Sequence, residues 1–352
     1  MKALVLDGFG DEPAMRDVPE PVCPPDGAVV RVEATGLCRS DWHALAGHDP
    51  DVRLPHVPGH EFAGVVHEVG REVRDWAPGA RVTTPFVTAC GRCATCAAGE
   101  QQVCERQRQP GFTHWGSFAE FVVVDRADVN LVALPPGVDA VAAAALGCRF
   151  ATAFRAVTQV GRLTAGEVVA VHGCGGVGLS AVMVAAVAGA RVVAVDVRPQ
   201  ALELARAAGA AVTVLGEEGL TPADAARDVA ARVREAAGGP VALSLDALGS
   251  AATCAASIAC LAARGRHVQV GLLPDVLGWP AVPMHLVVAG ELEVLGSHGM
   301  AARRYPELLA LVTSGRLRPA DLVTRRIPLA DAGGELAAMG TRPPSGITVA
   351  LP

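Results

Sequence analysis

The stretch VVAVHGCGGVGLSAVMVAAVAGA, residues 168–190, contains no Asp, Glu, Lys or Arg. A run this apolar must be buried, either across a bilayer or inside a protein core. The GCGGVG at its centre separates the two cases. Glycines at that density break a spanning helix, but they suit a tight turn between a buried strand and a buried helix. The pattern then repeats. VVAVH, RVVAVD, AVTVL, VALSLD, RHVQVG and LEVLGS begin at 168, 191, 211, 241, 266 and 292, and alanine-rich helical segments lie between several of them. Strands and helices in regular alternation imply an α/β fold with a doubly wound parallel sheet.

Within that frame GCGGVG, residues 173–178, fits G-x-G-x-x-G following a strand and opening a helix, and RVVAVD ends in Asp196, 23 residues after Gly173. The spacing carries a mechanism. Gly173 permits the sharp turn, Gly175 lets the backbone approach a pyrophosphate, and Gly178 lets helix and strand pack closely. The helix start offers free N–H groups to phosphates. Asp196 would accept hydrogen bonds from a ribose diol and repel a 2′-phosphate, which favours NAD over NADP. Arg198 pulls the other way, because it could pair with such a phosphate. The bland alternative is a glycine-rich turn with no ligand.

Residues 1 to about 125 have a different character. Short alternating runs (KALVL, AVVRVEA, FAGVVHEV, FAEFVVV) are interrupted by many Gly and Pro, a β-rich pattern with long loops. Beyond residue 300, YPELLALVTSG is expected to be helical with Gly315 as its stop, and ITVALP to be a strand. At 352 residues the chain can bury two cores, and 51% hydrophobic with 19% charged residues is a globular composition. The formal net charge of −6 and the lack of a basic stripe argue against nucleic acid as a partner. MKALVLDGFGDEP reaches Asp7 and Gly8 before any long apolar stretch, unlike an export signal, so no membrane is expected and the cytoplasm is the expected compartment.

Four cysteines crowd into CGRCATCAAGEQQVC: Cys90, Cys93, Cys96 and Cys104. They could form two disulfides, a tetrahedral thiolate site for zinc, or four unconnected buried thiols. Short C-x2-C spacings and a reducing compartment favour zinc. Four thiolates fill the coordination shell of zinc, so this lobe would be a structural staple, and chemistry must be sought elsewhere. Two scarcities narrow the search. Lys2 is the only lysine, which excludes Schiff-base catalysis on a core lysine, and Tyr305 is the only tyrosine, so no Tyr-x-x-x-Lys pair exists. If the chain moves hydride, a metal is the natural remaining electrophile. Cys38, His60 and Cys148 could supply a Cys2His catalytic zinc site with an open position, although each alone is equally at home as a core residue.

Taken together these motifs resemble the zinc-dependent medium-chain alcohol dehydrogenases over nearly the whole length. Gly59, His60, Glu61 and Gly64 match G-H-E-x-x-G, followed by Gly70. Cys90 to Cys104 match the C-x2-C-x2-C-x7-C lobe, Gly173 to Gly178 match the glycine turn, and Cys38-Arg39-Ser40-Asp41-Trp42-His43 resembles the first catalytic motif.

The resemblance implies a β-rich GroES-like catalytic domain formed by residues 1–150 and 292–352, with its zinc lobe at about 90–104. A Rossmann-type NAD-binding domain, 151–291, would be inserted into it. It implies two zincs per subunit, with Cys38, His60 and Cys148 as catalytic ligands and Glu61 behind them as an alternative ligand. Asp41 would orient His60. Ser40 and His43 would relay the proton of an alcohol, oxidised through a zinc-bound alkoxide with hydride passing to the nicotinamide. Arg39 would contact the pyrophosphate held by Gly173, Gly175, Gly176, Val177 and Gly178. Thr152 and Val177 would lie behind the nicotinamide, and the cleft between the domains would hold zinc and nicotinamide together. Phe86 would line the substrate pocket, with Trp42, Trp115 and Leu272 as further wall or cofactor contacts. The stretch from Cys104 to Phe118 is shorter than the long loop of the animal enzymes. A small alcohol or aldehyde substrate and a homodimer or homotetramer associated through the LEVLGS edge are expected. The alternatives are a reductase of an activated C=C or C=N bond that needs no catalytic zinc, and a non-catalytic member of the family.

Overall fold

The computed structural model describes residues 1–273 and 280–352. The chain divides into two compact units, one made of Met1–Ala151 with Gly299–Pro352 and the other of Thr152–His298.

The Thr152–His298 unit is built on one six-stranded parallel sheet. Its strands lie in the order Val212–Leu215, Arg191–Asp196, Val168–His172, Val241–Asp246, Arg266–Gln269 and Glu293–Gly296. In chain order this is 3-2-1-4-5-6, the Rossmann arrangement, with the topological switch beside the first strand. All six expected strands form. The central ones are uninterrupted apolar runs because both faces of a parallel sheet are covered. Val169, Ala170 and Val171 have no exposed surface, and each buried valine is worth about 1.5–3 kcal/mol relative to exposure.

Residues 168–190 resolve into the Val168–His172 strand, the glycine turn and the Gly176–Val187 helix. Every residue of this helix from Gly178 to Ala185 is buried, which explains why its sequence is apolar on all sides. Among the described residues no helix is long and apolar enough to cross a membrane.

The other unit is organised by the ten-residue Ala28–Leu37 strand, which pairs antiparallel with Glu61–Val69, Phe121–Val124 and Ile347–Leu351. The strands expected from KALVL and ITVALP form as Lys2–Val5 and Ile347–Leu351, and YPELLALVTSG forms the Tyr305–Thr313 helix. Gly315, two residues past that helix, adopts φ +73°, the left-handed conformation that ends helices. One register sets two of the candidate site residues side by side. Gly36 pairs with Glu61 and Leu37 with Thr348, so Cys38 and His60 leave adjacent strands at the same end of the sheet.

Candidate active site

Cys38 is the last residue before the Arg39–Leu45 helix, and His60 immediately precedes the Glu61–Val69 strand. Cys148 comes from a five-residue π turn, Leu146–Phe150, a local widening of the helical backbone that recurs at functional sites. Two bonds fix this turn. The Tyr305 hydroxyl donates to the Gly147 carbonyl at 3.1 Å, and the Phe86 N–H donates to the same oxygen at 3.3 Å. The chain's single tyrosine is therefore a buried strut for the Cys148 turn.

Ligand atoms of Cys38, His60, Glu61 and Cys148 all lie within 4.8 Å of one another. His60 Nδ1 is 2.8 Å from Asp41 Oδ1. The Asp41 carboxylate also accepts from the Cys38 N–H at 2.9 Å and the Gly59 N–H at 3.1 Å, so both of its oxygens serve as acceptors. It therefore fixes the Nδ1 proton and leaves Nε2 as the nitrogen that can give up its proton in favour of a metal. Nε2 is buried without a hydrogen-bond partner. An orphaned imidazole nitrogen facing two thiols fits a Cys2His zinc site.

The electrostatics agree. A hydrogen bond from Cys148 holds the Cys38 thiol well below its usual range despite burial, with His60 and Arg149 adding to the effect. The same bond, with burial, pushes Cys148 well up. Two thiols thus share one proton that a dication would displace. Burial alone would lower the His60 pKa, but the Asp41 carboxylate and Cys38 outweigh it and raise it well above the ordinary imidazole range.

Glu61 is fully engaged. Its carboxylate accepts from the Arg149 N–H at 2.8 Å, from Nε at 3.0 Å and from Nη2. Arg149 Nη1 in turn donates to the Leu37 carbonyl at 2.8 Å. A Cβ at Gly36 would lie 2.6 Å from Glu61 Oε2 and 2.7 Å from Arg149 Nη2, so only glycine leaves room for this ion pair. The carboxylate expected to serve as an alternative ligand is here clamped by a guanidinium. Sequence reasoning passed over Arg149, and its signal was adjacency to Cys148.

The ring of Phe86 packs edge-on to His60 at 6.1 Å between centroids. Phe112, which sequence reasoning did not single out, lies at 5.0 Å. Trp42 and Trp115 pack, partly buried, against the core cluster that includes Leu37 and Phe118. The Arg39 guanidinium carbon stands 3.9 Å over the Trp42 ring, and Trp115 Nε1 donates to the Pro55 carbonyl at 3.1 Å. Arg39 also donates to the Met339 carbonyl. Ser40 and His43 are three residues apart on the Arg39–Leu45 helix and share a face. Ser40 Oγ is 3.8 Å from Cys38 Sγ. Burial, with the charges of Arg39 and His48, lowers the His43 pKa, so its ring is neutral near pH 7 and able to take a proton.

In the Thr152–His298 unit, Gly173 has φ +90°. A Cβ on Gly178 would collide with the Gly173 carbonyl oxygen, whereas one on Gly175 would meet nothing within 4 Å. The third glycine of the turn thus closes the turn on itself, and Gly175 borders open space. Gly176 and Val177 form the first helical turn. Asp196 accepts from the Cys174 N–H at 2.7 Å and the Arg198 N–H at 2.9 Å, and Arg198 Nε lies 3.4 Å from the same carboxylate. Thr152 Oγ1 is buried without a partner, and Leu272 is 65% exposed.

The second cluster is Cys90, Cys93, Cys96 and Cys104, with all four sulfurs within 4.8 Å of one another. None is in a disulfide. The Cys90–Cys96 and Cys93–Cys104 sulfur pairs are 3.9 and 3.8 Å apart, close to the ~3.8 Å that tetrahedral Zn–S bonds of about 2.3 Å require. Backbone N–H groups of Cys90, Cys96 and Arg106 point at sulfurs from 3.3–3.4 Å. The Arg92 N–H lowers the Cys90 thiol to about 6, while burial pushes Cys96 up to about 12.

Residues 24–136 match the alcohol dehydrogenase GroES-like domain, and residues 176–314 match the zinc-binding dehydrogenase domain. An alcohol dehydrogenase of Geobacillus stearothermophilus is 32% identical over 321 residues, covering 90% of each chain. An NAD-dependent alcohol dehydrogenase of Sulfurisphaera tokodaii is 30% identical over 341 residues, 94% of each. Among solved structures, the alcohol dehydrogenase TADH from Thermus sp. ATN1 superposes with a TM-score of 0.88 at 32% identity, over 100% of this chain and 99% of that one.

Proposed function

From the premise that this chain belongs to the zinc-dependent medium-chain alcohol dehydrogenase family, we propose that it interconverts a small alcohol and its aldehyde or ketone, with NAD as hydride partner. The observation that carries this reading is the buried, unpartnered His60 Nε2 beside the Cys38 and Cys148 thiols, its tautomer set by Asp41. Cys38, His60 and Cys148 would hold the catalytic zinc, and Cys90, Cys93, Cys96 and Cys104 a structural one. When bound, zinc supplies Lewis acidity that brings an alcohol proton within reach near neutral pH.

The chain's own groups do the rest. Ser40 hydrogen-bonds the substrate oxygen, and neutral His43 accepts the proton that leaves it. Phe86 and Phe112 give the site apolar walls against His60, which favour an apolar substrate over water. Arg149 holds the Glu61 side chain in place and offsets part of the burial that raises its pKa. The Gly173–Gly178 turn and the helix that it opens would hold the pyrophosphate. Asp196 would hold the adenosine ribose. Because Arg198 is already tied to the Asp196 carboxylate, the balance is toward NAD. Thr152, Val177 and Leu272 would adjoin the nicotinamide end.

The complete donor set favours this reading over a zinc-independent reductase. Ten cysteines, all unpaired, suit a reducing cytoplasm. Val294 on the Glu293–Gly296 edge strand, and Met284 and Val288 nearby, are 43%, 55% and 74% exposed, which supports a homodimer or homotetramer joined there.

Zinc content and NAD-linked oxidation of a panel of primary and secondary alcohols, for the wild type and Cys38→Ser, test the proposal. The expected result is two zincs falling to one, with activity lost and the fold kept. One zinc in the wild type, unchanged by the substitution, would move the assignment to a zinc-independent reductase.

A further inference from the structure

The Arg39–Leu45 helix ends in a motif that sets two histidines against each other. Gly47, at φ +75°, is its left-handed terminator. The Gly47 N–H donates to the Ala44 carbonyl at 3.1 Å, and the His48 N–H donates to the His43 carbonyl at 2.9 Å. This pair of bonds is the Schellman motif, which brings the side chain two positions past the helix cap onto the last turn, normally as an apolar contact. Here the two positions are His48 and His43. Their Nδ1 atoms are 3.1 Å apart, and the rings are tilted at 44°. Trp42 presents its ring in T-shaped contact to both, at 5.0 and 5.6 Å.

A hydrogen bond between two Nδ1 atoms holds one proton, so one ring donates and the other offers its lone pair. We propose that His43 is the donor and His48 the acceptor, so that His48 acts as a positioning residue for His43 and as the outlet of its proton. The proposal rests on the dehydrogenase reading for the use of that proton. With Nδ1–H committed to His48, the Nε2 of His43 is the nitrogen left to receive a proton. When it does, the Nδ1 proton crosses to His48 Nδ1 and exposed His48 releases its own Nε2 proton to water. One proton enters and one leaves, and exchange of ring protons with water restores the starting tautomers. The other charged or titratable groups acting on His43 are the Arg39 guanidinium, stacked over Trp42, and Cys38. Arg39 is engaged with Trp42 and Met339, and Cys38 lies at the buried end of the site, so His48 is the outlet of this wire.

His48→Leu tests this. Leucine restores the apolar contact usual at this position, so folding and Tm are expected to stay at wild-type values. Alcohol oxidation in dilute non-imidazole buffer should fall roughly tenfold, short of the ~10²–10⁴ of a direct acid–base group. KM should be unchanged, and added imidazole should restore the rate in the variant but not accelerate the wild type. Independently of turnover, ¹⁵N NMR of the wild type should show His43 as the Nδ1–H tautomer, and His48→Leu should release it. A variant with wild-type rate, pH profile and buffer response, or a wild-type His43 in the Nε2–H form, would reduce the pair to a helix terminator and overturn the proposal. A zinc-loaded wild type that oxidises no alcohol in the panel would instead overturn the dehydrogenase reading, and the NMR result alone would then decide the pair.

Discussion

Arg149 and Glu61 form an ion pair with both side chains almost wholly out of water. Such a pair contributes little relative to an apolar replacement, but breaking it on one side strands a charge. Arg149→Met should therefore cost about 3–5 kcal/mol of stability, and Glu61→Gln combined with Arg149→Met should recover much of it. Denaturant melts of the two variants would check this, and a fully stable Arg149→Met would show that Glu61 finds another partner. His172 is the opposite case, a base buried neutral at the end of its strand. Burial, with His267 adding to it, pulls its pKa down to about 3. The unfolded chain takes up a proton near pH 6.5 that the folded one refuses, so stability is complete above that pH and drains away toward pH 3. Against His172→Gln, which cannot titrate, the wild type should lose roughly 2–3 kcal/mol of its relative stability between pH 7 and pH 4.5, at ~1.4 kcal/mol per unit. A pH-independent gap in the melts would place the His172 pKa near its ordinary value.

At the scale of elements, local order was what the sequence could show. The strands of the parallel sheet announce themselves as short apolar runs because both sheet faces are covered, and the glycine turn because each glycine answers a steric demand. The cysteine lobe is legible for the same reason, since its four sulfurs come from fifteen consecutive residues. Cys38, His60 and Cys148 come from three separate stretches, and the pairing of Gly36 with Glu61 that brings two of them together appears in no local pattern. Their residue types allowed them as a Cys2His set, but nothing in the sequence showed that they meet, and the family resemblance supplied that expectation. Phe112 and the partnership of Arg149 with Glu61 lay beyond reach because they are tertiary contacts between ordinary-looking residues. The lobe is linked to the rest of its unit by Arg303, which donates to the Gly99 carbonyl at 2.6 Å. Cys104→Ser should release one zinc of two, lower Tm and open residues 90–104 to protease, while the zinc at Cys38 stays bound. Unchanged zinc content in that variant would remove the lobe as a metal site.

At the scale of the molecule, the unit that carries the candidate active site is split in sequence, and the glycine-turn unit lies between its two parts. The split has no signature in composition, because no low-complexity linker marks either crossing. Its effect is concentrated in one pairing. Leu37, next to Cys38, takes Thr348 as its neighbour in the sheet, more than 300 residues downstream. Synthesis runs at about 5–20 residues per second, so a nascent chain carries Cys38 for roughly 15–60 s before the strand that flanks it has been made. The inserted unit has all of its strands well before then. During that interval the strand that leads to Cys38 lacks its Ile347–Leu351 neighbour, and if Cys38 takes a metal, the timing of its delivery relative to translation becomes part of how this protein is built.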